Sequence, residues 1–192
     1  MPAKKQITKQ TILNSAYELV RRGGVDALNM RAVADMCKCS TQPIYLSFRG
    51  ADELRAAVLQ KTCETFDAFI EREISAGKYP EYKAVGMGYI RFAVEEPELF
   101  KFLFMRKRES EEGFEKNSFD KSTFLIMKNY GLYKDDAFKL HAEMWIFVHG
   151  IATMFATGYL DWDWDTVSDM VTDVYQGLMW RRKQGEHNDN KH

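Results

Sequence analysis

Hydrophobic positions in this chain recur three and four residues apart, the spacing of helices with one buried face. Sustained alternation of apolar and polar residues, the mark of a half-buried strand, is absent. Ile12, Leu13, Ala16, Leu19 and Val20 make one stripe, which predicts a helix from Thr8 to Arg22 ended by Gly23-Gly24. Val25 and Leu28 tuck the connection into the same small core. Met30, Val33, Ala34 and Cys37 repeat at i, i+3, i+4, i+7, a second helix with Asn29 at its N-cap. Lys38-Cys39 breaks that pattern. Ser40 is then placed to cap a third helix over Thr41 to Ser47, with Ile44 and Phe48 to bury.

A long helix is expected over Ala51 to Ala76, with Leu54, Val58, Phe66, Phe69 and Ile70 on its apolar side and Gly77 as its stop. Helices over 80–95 and 97–105 each open on a proline, where the missing N–H is harmless. Residues 106–117, RKRESEEGFEKN, read as a charged loop before a helix from Phe119 to Tyr130 closed by Gly131. Residues 135–158 are apolar around much of a helical circumference, as in a helix buried on several sides. The last helix, Asp165 to Lys183, carries an unbroken stripe of Val167, Met170, Val171, Val174, Tyr175, Leu178 and Met179. Two adjacent helices this apolar exceed what a small monomer needs, so Val167, Met170, Val171, Val174, Tyr175 and Leu178 are assigned to a dimer interface. The expected architecture is all-α, with about nine helices. A three-helix head occupies residues 1–50, a larger helical body 51–184 and a disordered polar tail 185–192.

Charge adds a direction to that architecture. The net charge of −1 hides a basic head, +5 over residues 1–50, on a body of −6. Such a split suits a phosphate-binding module joined to an acidic body. No apolar run reaches the ~18 residues of a membrane span, and no apolar segment follows the basic N-terminus, which points to the cytoplasm. Three cysteines, Cys37, Cys39 and Cys63, cannot all pair and lack metal or redox spacing, so they are read as ordinary thiols. Small polar and aromatic side chains on the third helix suit base edges and phosphates.

The stretch from Thr8 to Leu54 resembles the TetR family of bacterial transcriptional regulators. The resemblance lies in Ile12-Leu13, Ala16, Gly23, Leu28, Val33-Ala34, Ser40, Ile44-Tyr45, Phe48 and Leu54. EEPELFKFLF at 95–104 and WIFVHGIATMFATG at 145–158 are similar to segments of the family's ligand-binding region. The chain departs from the family pattern at Lys38, where the turn usually has Gly, at Ser47, commonly His, and at Ala51, commonly Lys. Lys38 costs little if its backbone avoids positive φ. Ala51 has no charge to offer a phosphate, and Arg49, two residues earlier, stands in for it.

The resemblance implies a homodimer on double-stranded operator DNA, each third helix in a major groove. It places Asn29, Met30, Arg31, Ser40, Thr41, Gln42, Pro43, Tyr45, Leu46, Ser47 and Arg49 at the DNA. In that setting Gln42 pairs with adenine, Leu46 meets a thymine methyl and Tyr45 a phosphate. Free N–H groups at Asn29-Met30-Arg31 face a phosphate, and Lys4, Lys5 and Lys9 form a mobile arm. The body is implied to hold a small-molecule effector. It has all four Trp and seven of the ten Met, side chains suited to a flat or greasy ligand. Met87, Phe92, Phe104, Phe124, Met127, Trp145, His149 and Met154 are the expected lining, with plain core as the rival for each. His149-Gly150 stands out, because a polar ring in an apolar helix needs a partner and Gly150 permits close helix packing.

No enzyme is indicated: there is no nucleophile–base set, no phosphate-cradling Gly loop and no metal-ligand spacing, and no cofactor is expected. The carboxylates of DWDWD at 161–165 are read as a helix cap rather than a metal site. His187 and His192 are incidental. The rival reading is a helical small-molecule-binding or interaction protein without DNA binding.

Overall fold

The computed structural model describes residues 7–106 and 113–189, with side chains between 113 and 183 given only from 120. Lys4 and Lys5 of the expected arm, residues 107–112 of the charged loop and His192 lie outside the described residues. Among the described residues there are nine α-helices and no strand. They are α1 Lys9–Gly23, α2 Met30–Met36, α3 Gln42–Ser47, α4 Ala51–Ser75, α5 Glu81–Glu95, α6 Pro97–Phe104, α7 Gly113–Tyr130, α8 Lys134–Ala156 and α9 Trp164–Asp189. A 3-10 turn, Val25–Ala27, joins α1 to α2.

The helices form two compact units. One takes the chain up to Ala68 and adds Glu95–Arg106; the other takes Phe69–Val94 and the chain after Arg106. The division therefore falls elsewhere than residue 50: most of α4, and all of α6, group with the head.

The first unit grows from local caps. Thr8 Oγ1 accepts the Thr11 N–H at 3.1 Å and starts α1. Asn29 Oδ1 accepts the Ala32 N–H at 2.9 Å and starts α2, as expected. Ser40 caps nothing: α3 begins after Thr41, without a side-chain cap. Pro43 in the first turn has no N–H to satisfy, which lessens the need for one. Ile12, Ala16 and Val20 from α1, Val33 and Ala34 from α2, Ile44 and Phe48, and Leu54 and Val58 from α4 close a single core. The α6 helix packs on α1. There the Arg21 guanidinium grips Glu96, at the start of α6, through Nε at 2.7 Å and Nη2 at 2.5 Å. Gly24 completes this corner: its φ of +71° is poorly tolerated by other residues, and a Cβ there would lie 2.6 Å from Glu98 Oε2.

In the second unit α5 lies very close to the last turns of α4. A Cβ at Gly88 would stand 3.1 Å from the Ile70 Cα and 3.2 Å from the Phe69 carbonyl oxygen. Beside that contact the buried Glu73 carboxylate takes a bond from Arg91 Nε, and Arg91 lies over the Trp164 ring. The α8 helix packs against both α7 and α9, and Glu143 bonds Arg181 at 2.6 Å and Arg182 at 2.7 Å. The close-packing glycine is thus Gly88, whereas Gly150 has nothing within 4 Å of an added Cβ. Asp163 does the capping expected of the DWDWD run: its carboxylate accepts from the Thr166 N–H at 2.9 Å and the Thr166 hydroxyl at 2.6 Å. Those bonds lower its pKa. Two boundaries differ from the sequence reading by several residues. Helix α7 starts at Gly113 rather than Phe119, and α9 runs on to Asp189 through the segment expected to be disordered.

Candidate functional sites

The first candidate site is the outward face of α3. At about 100° per residue, Ile44 and Phe48 point into the core together, and Leu46 points directly away from them. Exposure bears this out: Ile44 and Phe48 are 0% and 1% exposed, Leu46 81% and Tyr45 56%. Gln42 lies one turn before Leu46 on the same face and is exposed, as are Thr41, Ser40, Arg31 and Arg49. Pro43 and Met30 are half-buried.

Three expected roles change on this surface, those of Ser47, Lys9 and Lys38. The Asn29 side chain accepts the Ala32 N–H as a cap, a bond that does not involve the main-chain N–H groups of Asn29, Met30 and Arg31. Ser47 is half-buried, and its hydroxyl donates to the Pro43 carbonyl at 2.9 Å. Lys9 is no mobile arm: it belongs to α1, bonds Glu53 at 3.3 Å and lies 4.6 Å from the Phe48 ring centroid. The turn before α3 does adopt positive φ, at Lys38 with φ +53°. Cys37, Cys39 and Cys63 form no disulfide with one another, and Cys37 Sγ donates to Ser15 Oγ at 3.3 Å.

The second candidate site lies in the second unit, between α5 and α8. His149 has the partner its position demands, the Tyr89 hydroxyl at 2.9 Å from Nδ1. One turn earlier Trp145 stacks on the same imidazole, centroids 5.2 Å apart and planes at 16°. Burial lowers the His149 pKa. The arrangement repeats along the helices: the Tyr82 hydroxyl is 3.0 Å from His141 Nδ1. Burial pushes the Tyr82 pKa up and holds that of His141 at about 4. Both rings are therefore neutral at pH 7, and the Tyr82 hydroxyl shares one hydrogen bond with the His141 Nδ1.

The structure does not gather all eight expected lining residues here. Met87 and Phe92 are fully buried on α5, and Met127, Trp145, His149 and Met154 are half-buried on α7 and α8. Phe124 is 65% exposed. Phe104 belongs to the first unit, edge-on to Phe66 at 5.2 Å. Tyr82, Tyr89 and His141 were missed. Their signal was present as two tyrosines seven apart and two histidines eight apart on amphipathic helices.

The third surface is the outer side of α8 and α9. Val167 and Val171 are 0% and 3% exposed within one chain, so they offer nothing to a partner. Tyr175 packs against Tyr82 and Tyr130, centroids 6.0 and 5.6 Å away. The apolar stripe on α9 faces its own core first. Met170, Val174 and Leu178 remain half-buried on its flank. On α8, Ile146 is 65% exposed opposite the helix's buried side, and a Cβ at Gly150 would meet open space.

A helix-turn-helix that keeps the outer face of its third helix in solvent is an arrangement used to read DNA. Residues 82–175 match the family model described as the tetracyclin repressor-like C-terminal domain. The chain is 24% identical over 193 residues to an uncharacterized HTH-type transcriptional regulator of Mycobacterium tuberculosis, covering 96% of this chain and 86% of that protein. A TetR-like transcriptional regulator from Rhodococcus sp. RHA1 has the same fold, with a TM-score of 0.65 at 20% identity over 92% of this chain and 96% of that one. The multidrug binding protein EbrR, solved with imidazole, matches with a TM-score of 0.62 at 16% identity over 88% and 93% of the two chains. These matches support a TetR-like transcriptional regulator.

Proposed function

We propose that this protein is a one-component cytoplasmic repressor. It binds palindromic operator DNA as a homodimer and releases it when a small hydrophobic or aromatic effector enters the body. The observation that carries this reading is the α3 face. Thr41, Gln42, Tyr45 and Leu46 stand in solvent on a helix anchored by Ile44 and Phe48. A helix so presented fits a major groove, with the second α3 of the dimer one helical turn away, roughly 34–36 Å. Ile146, Met170, Val174 and Leu178 supply the dimer surface.

The paired Tyr–His contacts and the stacked Trp145 favour a flat effector able to exchange a hydrogen bond with Tyr89 or His149. The neighbour EbrR is a multidrug binding protein solved with imidazole, which supports a ligand of that general kind. The regulatory step is a population shift carried by α4. That helix starts among the head's residues, while Gly88 and the Glu73–Arg91 pair hold its last turns against α5. An effector that repositions α5 thereby acts on the helix that leads to the head.

The test is retention of genomic DNA fragments by the purified protein at about 150 mM salt, where only contacts beyond the phosphate backbone hold a site selectively. A recurring palindrome is expected, with affinity falling steeply as salt rises. Fragments no different from random, both as purified and after refolding to strip bound ligand, would overturn the reading.

A further inference from the structure

We infer that α3 reads an A·T core in each operator half-site, with Leu46 on a thymine methyl and Gln42 on the adenine of a neighbouring pair. The inference rests on the regulator reading and adds what the operator contains. Four observations converge on it. Leu46 is the outermost residue of α3, 81% exposed and opposite the buried Ile44 and Phe48. Exposing that much of a leucine serves no packing purpose within the chain, and the side chain has no hydrogen-bonding group. The one apolar feature of the major-groove floor is the C5-methyl of thymine. Gln42 lies one turn away on the same exposed face, and its amide matches adenine N6 and N7 in bidentate fashion.

The third observation is a missing residue type. From Thr41 to Phe48 the sequence is TQPIYLSF, without Arg or Lys, so α3 lacks the side chains that most often read guanine. The fourth is the position of the flanking groups. Tyr45 sits about a quarter-turn to one side of Leu46, and Arg31 and Arg49 are exposed on the neighbouring segments. Charge and the Tyr45 hydroxyl border the face, where phosphates run, and the centre is left to one apolar and one amide side chain.

The experiment starts from the palindrome recovered by the genomic selection. In synthetic duplexes each thymine is replaced in turn by deoxyuridine, which removes only the methyl group. Binding is measured for the wild type, Leu46→Ala and Gln42→Ala. The wild type should lose about fourfold at one symmetric thymine, the worth of one buried methyl. Leu46→Ala should bind the unmodified site more weakly and lose nothing further on that substitution. Gln42→Ala should lose roughly tenfold and stop distinguishing A·T from G·C at a neighbouring pair. Leu46 and Gln42 are solvent-exposed, and unchanged thermal unfolding of both variants confirms that the fold is intact.

A palindrome bound equally well with uracil throughout, or one whose α3 positions are G·C, would overturn this inference and leave the regulator reading standing. Failure to recover any palindrome, both as purified and after refolding to strip bound ligand, would overturn both.

Discussion

Lys38 shows how far one residue can depart from its expected role while the local fold survives. The sequence reading asked its backbone to avoid positive φ, and it does not, at φ +53°. The turn between α2 and α3 is short, and the left-handed conformation there lets the Cys39 N–H reach the Ala34 carbonyl at 3.0 Å. A side chain in that conformation costs roughly 1–2 kcal/mol, partly offset because glycine has more freedom to lose on folding. Lys38→Gly should therefore raise unfolding stability by about 0.5–1 kcal/mol in urea titration. An unchanged or lower value would remove the strain argument.

His141 gives a pH dependence of definite sign. An unfolded chain binds the proton near the ordinary 6.5, but the folded chain only near 4, because burial opposes the charge. Between those values the unfolded state holds more protons, so stability falls as pH drops through the window and is undiminished above it. At about 1.4 kcal/mol per pKa unit the full effect is roughly 3 kcal/mol. Unfolding free energies measured from pH 7 to pH 4 should show this slope, and His141→Gln should flatten most of it.

Elements were legible wherever a single stripe met a clear stop. The lengths of α1, α2 and α4 follow from apolar spacing plus Asn29, Gly24 and Gly77, because caps and breakers act within a few residues of chain. The start of α7 was not legible, since a charged sequence is compatible with either loop or helix until something packs on it. Close approach between elements was equally hidden. Gly150 drew attention for its apolar context, yet Gly88 is the glycine at which two helices meet. A side chain at Gly88 would press on backbone atoms of Phe69 and Ile70, which cannot turn aside. Gly88→Val should destabilise by roughly 1–3 kcal/mol, the usual range for overpacking. A neutral result would mean that α5 shifts freely against α4, and would weaken the proposed route from effector to head.

At the scale of the whole molecule, the dimer proposal makes the outer face of α8 decisive. Placing a charge there should break association, because an unpaired charge is not tolerated at the centre of an apolar interface. Ile146→Asp should elute as a monomer at micromolar concentration, with its helical content intact. A variant that remains dimeric would move the interface elsewhere.

Helical class, the basic head and the composition of the α3 face were readable from the chain alone, because periodicity, caps and charge are properties of neighbouring residues. Other features needed the folded chain. They include the engagement of Val167 and Val171 with their own core, the pairing of tyrosines on α5 with histidines on α8, and the grouping of α6 with α1. Each depends on contacts between residues far apart in sequence, and an apolar stripe records only that a face is buried, not what buries it.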